Sequence, residues 1–280
     1  MPMTTPIPEG QYITTASGIR IHYHDVGQGH DHRPPIVFFH GSGPGASGYS
    51  NFKLNYPVFV EAGHRVIVPD LPGYGLSGKP EDVQYINDFF IQTMQEFVAA
   101  LGLRRVTLLG NSLGGAIALG YALAHPDEVA NLILMAPGGV EEREAYFEME
   151  GIKRMMALFA EGPLNEDSMR RLLSLQLYNS DQVTDDVVTE RVAVCATQPG
   201  CVLSTMRVPN YTDRLGEIQC PTLGFWGMND EFNPTTGAEK IVTGIPNAKM
   251  TLINRCGHWV MVEHRDYFNR ACLDFLSAPV

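Results

Sequence analysis

The sequence has no apolar run of the length that crosses a bilayer, which takes about 20 residues. Its first residues, MPMTTPIPEGQYITT, also lack the basic and then apolar order of a secretion signal. We therefore expect a cytoplasmic protein without a membrane partner.

Basic side chains are scarce. The chain carries 20 Lys and Arg against 31 Asp and Glu, which gives a formal net charge of −11 and a sequence pI near 5.2. A protein that follows a phosphate backbone needs a basic face. The composition therefore argues against a nucleic-acid partner.

Cysteine is also rare, and its pattern is uninformative for metals. The five cysteines are an odd number in a long chain, without C-x-x-C spacing and without a His-rich partner segment. We expect reduced thiols that pack in the interior, and no metal site. No repeat of 20 to 50 residues and no low-complexity tract occurs, so a solenoid is not expected.

Short apolar runs alternate with helical patterns along the rest of the chain. The segment YITTASGIRIHYHDVG alternates around a Ser-Gly turn and predicts a hairpin. Later runs are apolar throughout and end in polar or glycine residues, as parallel strands buried on both faces do: PPIVFFHG, HRVIVPDLPG, RVTLLGNS, NLILMAPG, PTLGFWGMND and KMTLINRCGH. We predict an α/β protein with a mostly parallel central sheet and helices on both faces.

One segment, from about 141 to 211, interrupts this alternation. It contains no strand-like run, and its helical patterns carry charged residues on one side and apolar residues on the other. We predict a helical lid at 141–211 and a core domain formed by 1–140 and 212–280. Flexible methionines suit irregular apolar space in such a layer: Met149, Met155, Met156, Met169 and Met206. For each methionine alone, ordinary core packing is the simpler interpretation.

A serine stands among glycines at the end of one predicted strand. Residues 110–114, GNSLG, match the pattern G-x-S-x-G, in which small neighbours permit a sharp strand-to-helix turn that exposes the serine hydroxyl. The helix that follows offers backbone N–H groups to an oxyanion. Five residues with three fixed are a weak pattern, but the strand before and the helix after favour Ser112 as a nucleophile.

A serine nucleophile needs a base and an acid that orients it. Asp230 and His258 each follow a predicted strand, in the chain order Ser, Asp, His. The carboxyl ends of parallel strands lie at one edge of the sheet, so the three residues are expected to meet there. Glu231 and Asp70 are alternative acids; the first should point away, and the second ends an earlier strand.

The loop after the strand IVFF is the candidate source of a second oxyanion donor. It contains Gly41, Ser42, Gly43, Pro44 and Gly45, and its glycines let the backbone approach a substrate closely. A turn that only joined a strand to a helix would need fewer glycines.

These residues resemble those of the α/β-hydrolase fold over nearly the whole chain. More narrowly, HGSGPGASGYSNF, GNSLGGAIAL and GHWVMVEH are similar to the meta-cleavage product hydrolases. The resemblance implies hydrolysis of a carbon–carbon bond in a 2-hydroxy-6-oxo-hexa-2,4-dienoate, in the catabolism of aromatic compounds. It also implies a small-molecule substrate, no metal or organic cofactor, and a homo-oligomer, dimeric or larger.

The resemblance assigns roles to particular positions. It implies catalysis by Ser112, Asp230 and His258, and an oxyanion hole made by the backbone of Gly43 and Leu113 with Ser42 in the same loop. It implies a polar subsite for the dienoate end of the substrate at Asn51, Asn111, Arg191 and Trp259. A planar guanidinium suits a carboxylate, although Arg191 by itself would be interpreted as a solvated helix charge.

The chain departs from the common family pattern around its acid. Many members have a run like Arg-Asp-Asp-Arg-Phe-Val-Pro, whereas residues 228–234 here are MNDEFNP. Asn233 stands where an apolar residue often lines the distal pocket, which suggests a bulky, partly polar substituent. The candidates for the lid or distal pocket are Phe232, Met149, Met156, Leu173, Leu177 and Met206.

Two other functions remain open at this point. An esterase, lactonase or thioesterase needs the same three catalytic residues and oxyanion hole, but not Asn51, Arg191 and Trp259. A ligand receptor or adhesion module of the same fold often has an incomplete or slow set of catalytic residues. A haloalkane dehalogenase or epoxide hydrolase does not fit, because its nucleophile is an aspartate at the position of Ser112.

Overall fold

A computed structural model describes residues 9–27 and 33–277 of the chain. The expectation about a secretion signal falls largely on residues 1–8, which lie outside the described part. The ends of the predicted core domain, and residues 28–32 within it, lie outside it as well.

Within the described residues, the centre of the fold is one eight-stranded sheet of order β1-β2-β4-β3-β5-β6-β7-β8. The strands are β1 (Gln11–Thr14), β2 (Arg20–Val26), β3 (Ile36–Phe39), β4 (Val66–Pro69), β5 (Val106–Asn111), β6 (Val129–Met135), β7 (Thr222–Gly227) and β8 (Ala248–Ile253). Strands β1 and β2 form an antiparallel hairpin, β2 pairs antiparallel with β4, and the remaining pairs are parallel. The predicted hairpin and mostly parallel sheet are confirmed.

Helices cover both faces of this sheet and fill the interval between β6 and β7. They are α1 (Gly48–Phe52), α2 (Tyr56–Glu61), α3 (Asn87–Ala100), α4 (Leu113–Ala124), α5 (Arg143–Phe147), α6 (Glu150–Ala160), α7 (Glu166–Ser174), α8 (Asp185–Cys195), α9 (Cys201–Ser204), α10 (Thr236–Gly244), α11 (Val260–Glu263) and α12 (Arg265–Ser277). The predicted α/β class is therefore confirmed.

The apolar runs form strands because the sheet is buried on both sides. Strands β3 to β7 are buried along their whole length, whereas the edge strand β8 is partly exposed. One core cluster includes Phe97 of α3 and Trp226 of β7, and the other, on the opposite face, includes Phe38 of β3 and Phe59 of α2. Each such side chain contributes about 2–3 kcal/mol by leaving water, and the two clusters hold the strands in register.

The segment between β6 and β7 is helical, as its sequence pattern predicts. Helices α5 to α9 lie there, and the buried apolar side chains of α6, α7 and α8 join the second core cluster. Among the described residues of this segment, the one strand-like contact is an isolated bridge between Ile86 and Arg207. The segment thus leaves the sheet at the carboxyl end of β6 and returns to it before β7.

Candidate active site

Ser112 occupies a strained turn between β5 and α4. Its φ of 53° and ψ of −114° are unusual for a residue with a side chain. The turn is possible because its neighbours are glycines: a Cβ on Gly110 would lie 2.3 Å from the Gly114 carbonyl oxygen, and one on Gly114 would lie 2.0 Å from the Phe39 carbonyl oxygen. The sharp elbow expected from the sequence is present.

Asp230 and His258 are hydrogen-bonded to each other. The distance between His258 Nδ1 and Asp230 Oδ2 is 2.7 Å, and the Asp230 side chain is fully buried. Asp230 Oδ1 accepts hydrogen bonds from the backbone N–H groups of Phe232 and Asn233, at 2.8 and 3.0 Å. Both carboxylate oxygens are therefore engaged, which holds the imidazole in one orientation.

The two alternative acids lie elsewhere. Asp70 Oδ2 is 2.8 Å from His22 Nδ1 and accepts the backbone N–H of Leu76, while its Oδ1 accepts the backbone N–H of Gly48. Burial opposes ionisation of Asp70, but the bond to His22 and the backbone donors outweigh it and keep its pKa below the ordinary value. Glu231 has an exposed side chain, with its Oε2 3.9 Å from Arg154 Nη1.

Ser112 and His258 line the same cavity. In the described part of the chain, no hydrogen bond of 3.5 Å or less joins their side chains. Such catalytic contacts are often long without substrate. The backbone N–H of His258 donates to the carbonyl oxygen of Gln176, 2.8 Å away, so the loop that carries the histidine is bound to the end of α7.

Two groups of backbone N–H donors approach Ser112. Leu113 is the first residue of α4, where an N–H has no acceptor inside the helix. The loop with Ser42 and Gly43 follows β3 and also lines the cavity. His40 orients this loop: its Nε2 accepts the N–H of Leu71 at 3.0 Å, and its Nδ1 donates to the Gly41 carbonyl oxygen at 2.8 Å.

Burial lowers the pKa of His40 to about 4, so its imidazole is neutral at neutral pH.

Gly45, in the same loop, has a φ of 67°. A Cβ there would lie 2.0 Å from the Arg191 carbonyl oxygen. The glycine-rich loop 41–45 therefore packs directly against the backbone of α8.

Arg191 is a buried cation in the wall of this cavity. It is 1% exposed, its Nη2 donates to Asn51 Oδ1 at 2.5 Å, and its Cζ lies 5.2 Å from the centre of the Trp259 ring. Burial lowers the pKa of Arg191 to about 10, which leaves it charged at neutral pH. In the described part of the chain, no carboxylate lies within 4 Å of it and its Nε has no hydrogen-bond partner. The site thus presents an unneutralised guanidinium.

Asn111 lies next to Gly41 of the glycine-rich loop 41–45 and is fully buried. Its Nδ2 donates to the Met135 carbonyl oxygen at 3.3 Å, whereas its Oδ1 has no partner within the described residues. A buried polar atom without a partner is costly. It therefore marks a place where a polar ligand group would be favourable.

The cavity has a volume of about 400 Å³ and is lined by residues of the core and of the helices between β6 and β7. Among the residues singled out in the sequence, those that line it are Gly41, Ser42, Gly43, Pro44, Asn51, Asn111, Ser112, Leu113, Met155, Met156, Leu173, Arg191, Met206, Phe232, Asn233, His258 and Trp259. Asp230 lies behind His258. The lid candidates Met149 and Leu177 do not line it, and neither does Met169, which is part of the core.

Asn233 uses its polar atoms inside the protein. Its Nδ2 donates to the Ala136 carbonyl oxygen at 2.7 Å, and its own carbonyl oxygen accepts Trp226 Nε1 at 3.2 Å. The side chain thus holds the loop of Asp230 to the end of β6. The suggested role of Asn233 toward a polar substituent of the substrate stays a prediction. One N–H of its Nδ2 is already used by the Ala136 carbonyl oxygen.

Several cavity residues carry no signal in the sequence. Arg143, Tyr146, Gln176 and Arg207 line the wall, although they belong to no motif. The helical period of the sequence predicted the helices of this segment, but not the direction in which each side chain points. Within the described residues, no group of three or more His, Cys, Asp or Glu side chains is arranged to hold a metal ion.

Comparisons with known proteins agree with this geometry. The alpha/beta hydrolase fold family matches residues 34–265. A 2-hydroxy-6-oxononadienedioate/2-hydroxy-6-oxononatrienedioate hydrolase of Comamonas testosteroni is 38% identical over 273 residues, which are 93% of this chain and 92% of that protein. A 2-hydroxy-6-oxo-6-phenylhexa-2,4-dienoate hydrolase of Burkholderia cepacia is also 38% identical, over 93% of this chain and 92% of its own.

A solved structure gives the same assignment. The meta-cleavage product hydrolase from Pseudomonas fluorescens superimposes with a TM-score of 0.83 and 29% sequence identity, covering 95% of this chain and 97% of its own. The match extends over the sheet and the helical segment alike. The chain therefore belongs to the α/β-hydrolase fold family and, within it, to the meta-cleavage product hydrolases.

Proposed function

We propose that this protein hydrolyses a carbon–carbon bond in a 2-hydroxy-6-oxo-hexa-2,4-dienoate formed by ring opening in aromatic catabolism. The products are a 2-hydroxypenta-2,4-dienoate and a carboxylic acid. The observation that carries the proposal is Arg191, a buried cation without a carboxylate partner, in a cavity that also contains Ser112 and His258. The names of the two relatives support the same reaction.

Arg191 binds the carboxylate at the dienoate end of the substrate. A carboxylate supplies the negative charge that the guanidinium lacks, and two parallel N–H donors fit its two oxygens. Asn51 holds the guanidinium in place, and Trp259 lies against it. Asn111, with its unpartnered oxygen, accepts a hydrogen bond from the 2-hydroxy group of the dienol form.

His258 moves the protons. Asp230 holds its Nδ1, which leaves Nε2 free to exchange a proton with the substrate. The first proton transfer converts the dienol into its keto tautomer. The conjugated carbonyl of that tautomer accepts the electron pair released when the carbon–carbon bond breaks.

Ser112 adds to the 6-oxo carbon, and the resulting oxyanion is stabilised by the N–H groups of Gly43 and Leu113. The carbon–carbon bond then breaks, and its electron pair and a proton go to the dienoate fragment. Water releases the acyl fragment as a carboxylic acid. The net reaction adds one water molecule across the broken bond, with OH on the acyl carbon and H on the dienoate carbon.

The experiment is loss of visible absorbance when the protein meets yellow ring-opened catechol products with alkyl, phenyl or carboxylated tails. We expect bleaching of at least one of them, with a loss of about 10³-fold or more in kcat for Ser112→Ala. Ser277→Ala, at an exposed serine of α12, is the matched control. Turnover of a nitrophenyl ester without any bleaching would replace the proposal with an esterase, lactonase or thioesterase.

We also propose that 141–211 acts as a lid and that the enzyme is a cytoplasmic homo-oligomer. The lid is supported by the cavity wall, to which α5 to α9 contribute.

The family resemblance supports the cytoplasmic location and the homo-oligomer. The exposed side chain of Leu252 on edge strand β8 offers apolar surface for a second copy of the chain. In the described residues, no helix has the length and apolar character to cross a membrane. Light scattering of the purified protein measures the subunit number.

A further inference from the structure

Two further arginines line the cavity besides Arg191. Arg143 at the start of α5 and Arg207 after α9 both line it, together with Tyr146. In the sheet order β3-β5-β6, Ser112 ends the middle strand. Arg191 packs against the loop that follows β3, while Arg143 and Tyr146 follow β6. Ser112 therefore lies between the two groups.

Tyr146 connects this group to the serine turn. Its hydroxyl oxygen accepts the backbone N–H of Gly139 at 3.0 Å and that of Val140 at 3.4 Å. The adjacent Gly138 donates its N–H to the Ser112 carbonyl oxygen at 3.0 Å. Because the phenol oxygen acts as an acceptor in both bonds, its own proton is available for a ligand in the cavity.

The arginines between β6 and β7 divide into two sets. Arg154, Arg170, Arg171 and Arg214 each lie within 4 Å of a carboxylate, and none of them lines the active-site cavity. Arg143, Arg191 and Arg207 all line it, and in the described part of the chain none has a carboxylate within that distance. The cations left without an anion are therefore those that face the substrate.

Arg143 and Arg207 keep donors for a ligand. Arg207 Nη1 donates to the carbonyl oxygens of Ser204 and Met206, at 3.2 and 2.6 Å, and its Nη2 and Nε make no hydrogen bond among the described residues. Arg143 stacks on Phe147, with Cζ 4.5 Å from the ring centre. Neither contact neutralises the positive charge.

We infer that Arg143 and Arg207 determine specificity for a substrate whose distal tail ends in a carboxylate. This inference rests on the proposed function. Arg191 takes the dienoate carboxylate, and Arg143 and Arg207, with the Tyr146 hydroxyl, take the tail carboxylate on the far side of Ser112. Addition of water across the broken bond then yields a 2-hydroxypenta-2,4-dienoate and a dicarboxylic acid.

The experiment compares two ring-opened substrates of equal tail length, one ending in a carboxylate and the other in its methyl ester. Wild type is expected to prefer the carboxylate. The double variant Arg143→Met, Arg207→Met is expected to lose about 10- to 100-fold in kcat/KM on the carboxylate substrate and less than about 3-fold on the ester. Arg154→Met, which removes a paired arginine of the same segment, is the matched control and should leave both values unchanged.

Three results separate the possibilities. Equal losses on both substrates would assign the two arginines a structural role and overturn the inference, as would a wild-type preference for the methyl ester. If wild type bleached neither these two substrates nor the alkyl- and phenyl-tailed products, that result would instead overturn the proposed carbon–carbon hydrolysis itself. Raised salt should reduce the wild-type preference, because the arginines are exposed at the cavity wall.

Discussion

Arg191→Met should stabilise the substrate-free protein while it removes the proposed carboxylate clamp. Burial lowers the pKa of Arg191 from 12.5 to about 10. A fall of about 2.5 in pKa, at about 1.4 kcal/mol for each pKa unit, means that burial disfavours the charged form by about 3 kcal/mol. The side chain is 1% exposed, so solvent screens little of this cost.

The substitution also removes two favourable contacts. Without the guanidinium, Asn51 Oδ1 loses the donor that lies 2.5 Å away, which costs about 1 kcal/mol. The cation–π contact with the Trp259 ring is lost as well, at a cost of about 1 kcal/mol. The net expectation is a gain of about 1 kcal/mol in the free energy of unfolding, within the range seen when buried charges are replaced by apolar residues. For a chain of this size the gain corresponds to a rise in Tm of about 2 °C.

The assay pairs urea and thermal unfolding of the ligand-free protein with kcat/KM on the bleached dienoate. We expect higher stability and a loss of about 100-fold or more in kcat/KM for Arg191→Met, since a buried charge-assisted contact to substrate is lost. Arg154→Met, at an exposed arginine, controls for removal of a surface charge. Unchanged or lower stability of Arg191→Met would refute the reasoning, because it would mean that the protein itself already compensates the buried charge.

Three further predictions concern the parts that hold the site together. Lys53→Met removes ion pairs from Lys53 Nζ to two carboxylates of α8, one of them Glu190 at 2.8 Å. Because α8 also carries Arg191, KM should rise about 3- to 10-fold while kcat stays nearly constant. The same change at an exposed lysine should alter neither KM nor kcat. Gly45→Ala places a Cβ 2.0 Å from the Arg191 carbonyl oxygen at a φ of 67°. Both Tm and kcat/KM should therefore fall, and a variant as stable and active as wild type would contradict the packing of the loop 41–45 on α8. His40 is fully buried with a pKa of about 4, against 6.5 ordinarily. The unfolded chain therefore binds the extra proton between these values, and stability should fall by about 3 kcal/mol as pH drops from 6.5 to 4. His40→Gln should remove that part of the slope in urea unfolding at a series of pH values.

The sequence predicted the sheet well because burial on both faces imposes a pattern on each strand separately. The run IVFF has no polar residue, and β3 is buried at every position. The hairpin β1–β2 follows likewise from local alternation and a Ser-Gly turn. The helical segment was predictable in outline, since its charged and apolar residues repeat with a helical period.

The sequence predicted only in part which side chains of the helical segment line the cavity. Met149 and Leu177 were expected at the lid or distal pocket and do not line the cavity, whereas Met156 does. Helical period places a residue on a face, but the packing of one helix on another decides which face meets the cavity. The polar role suggested for Asn233 depends in the same way on a contact with the Ala136 carbonyl oxygen, which lies 97 residues away in the chain.

The sequence by itself determined the fold class, the elbow at Ser112 and the acid and base that follow later strands. These features depend on local rules: glycines permit a strained turn, and the carboxyl ends of parallel strands meet at one edge. Only the tertiary structure decided which charges are left without partners. Arg154 and Arg207 belong to the same helical segment, yet one lies beside a carboxylate and the other faces the cavity. Pairing and burial of a charge depend on residues distant in the chain, and no local pattern encodes them.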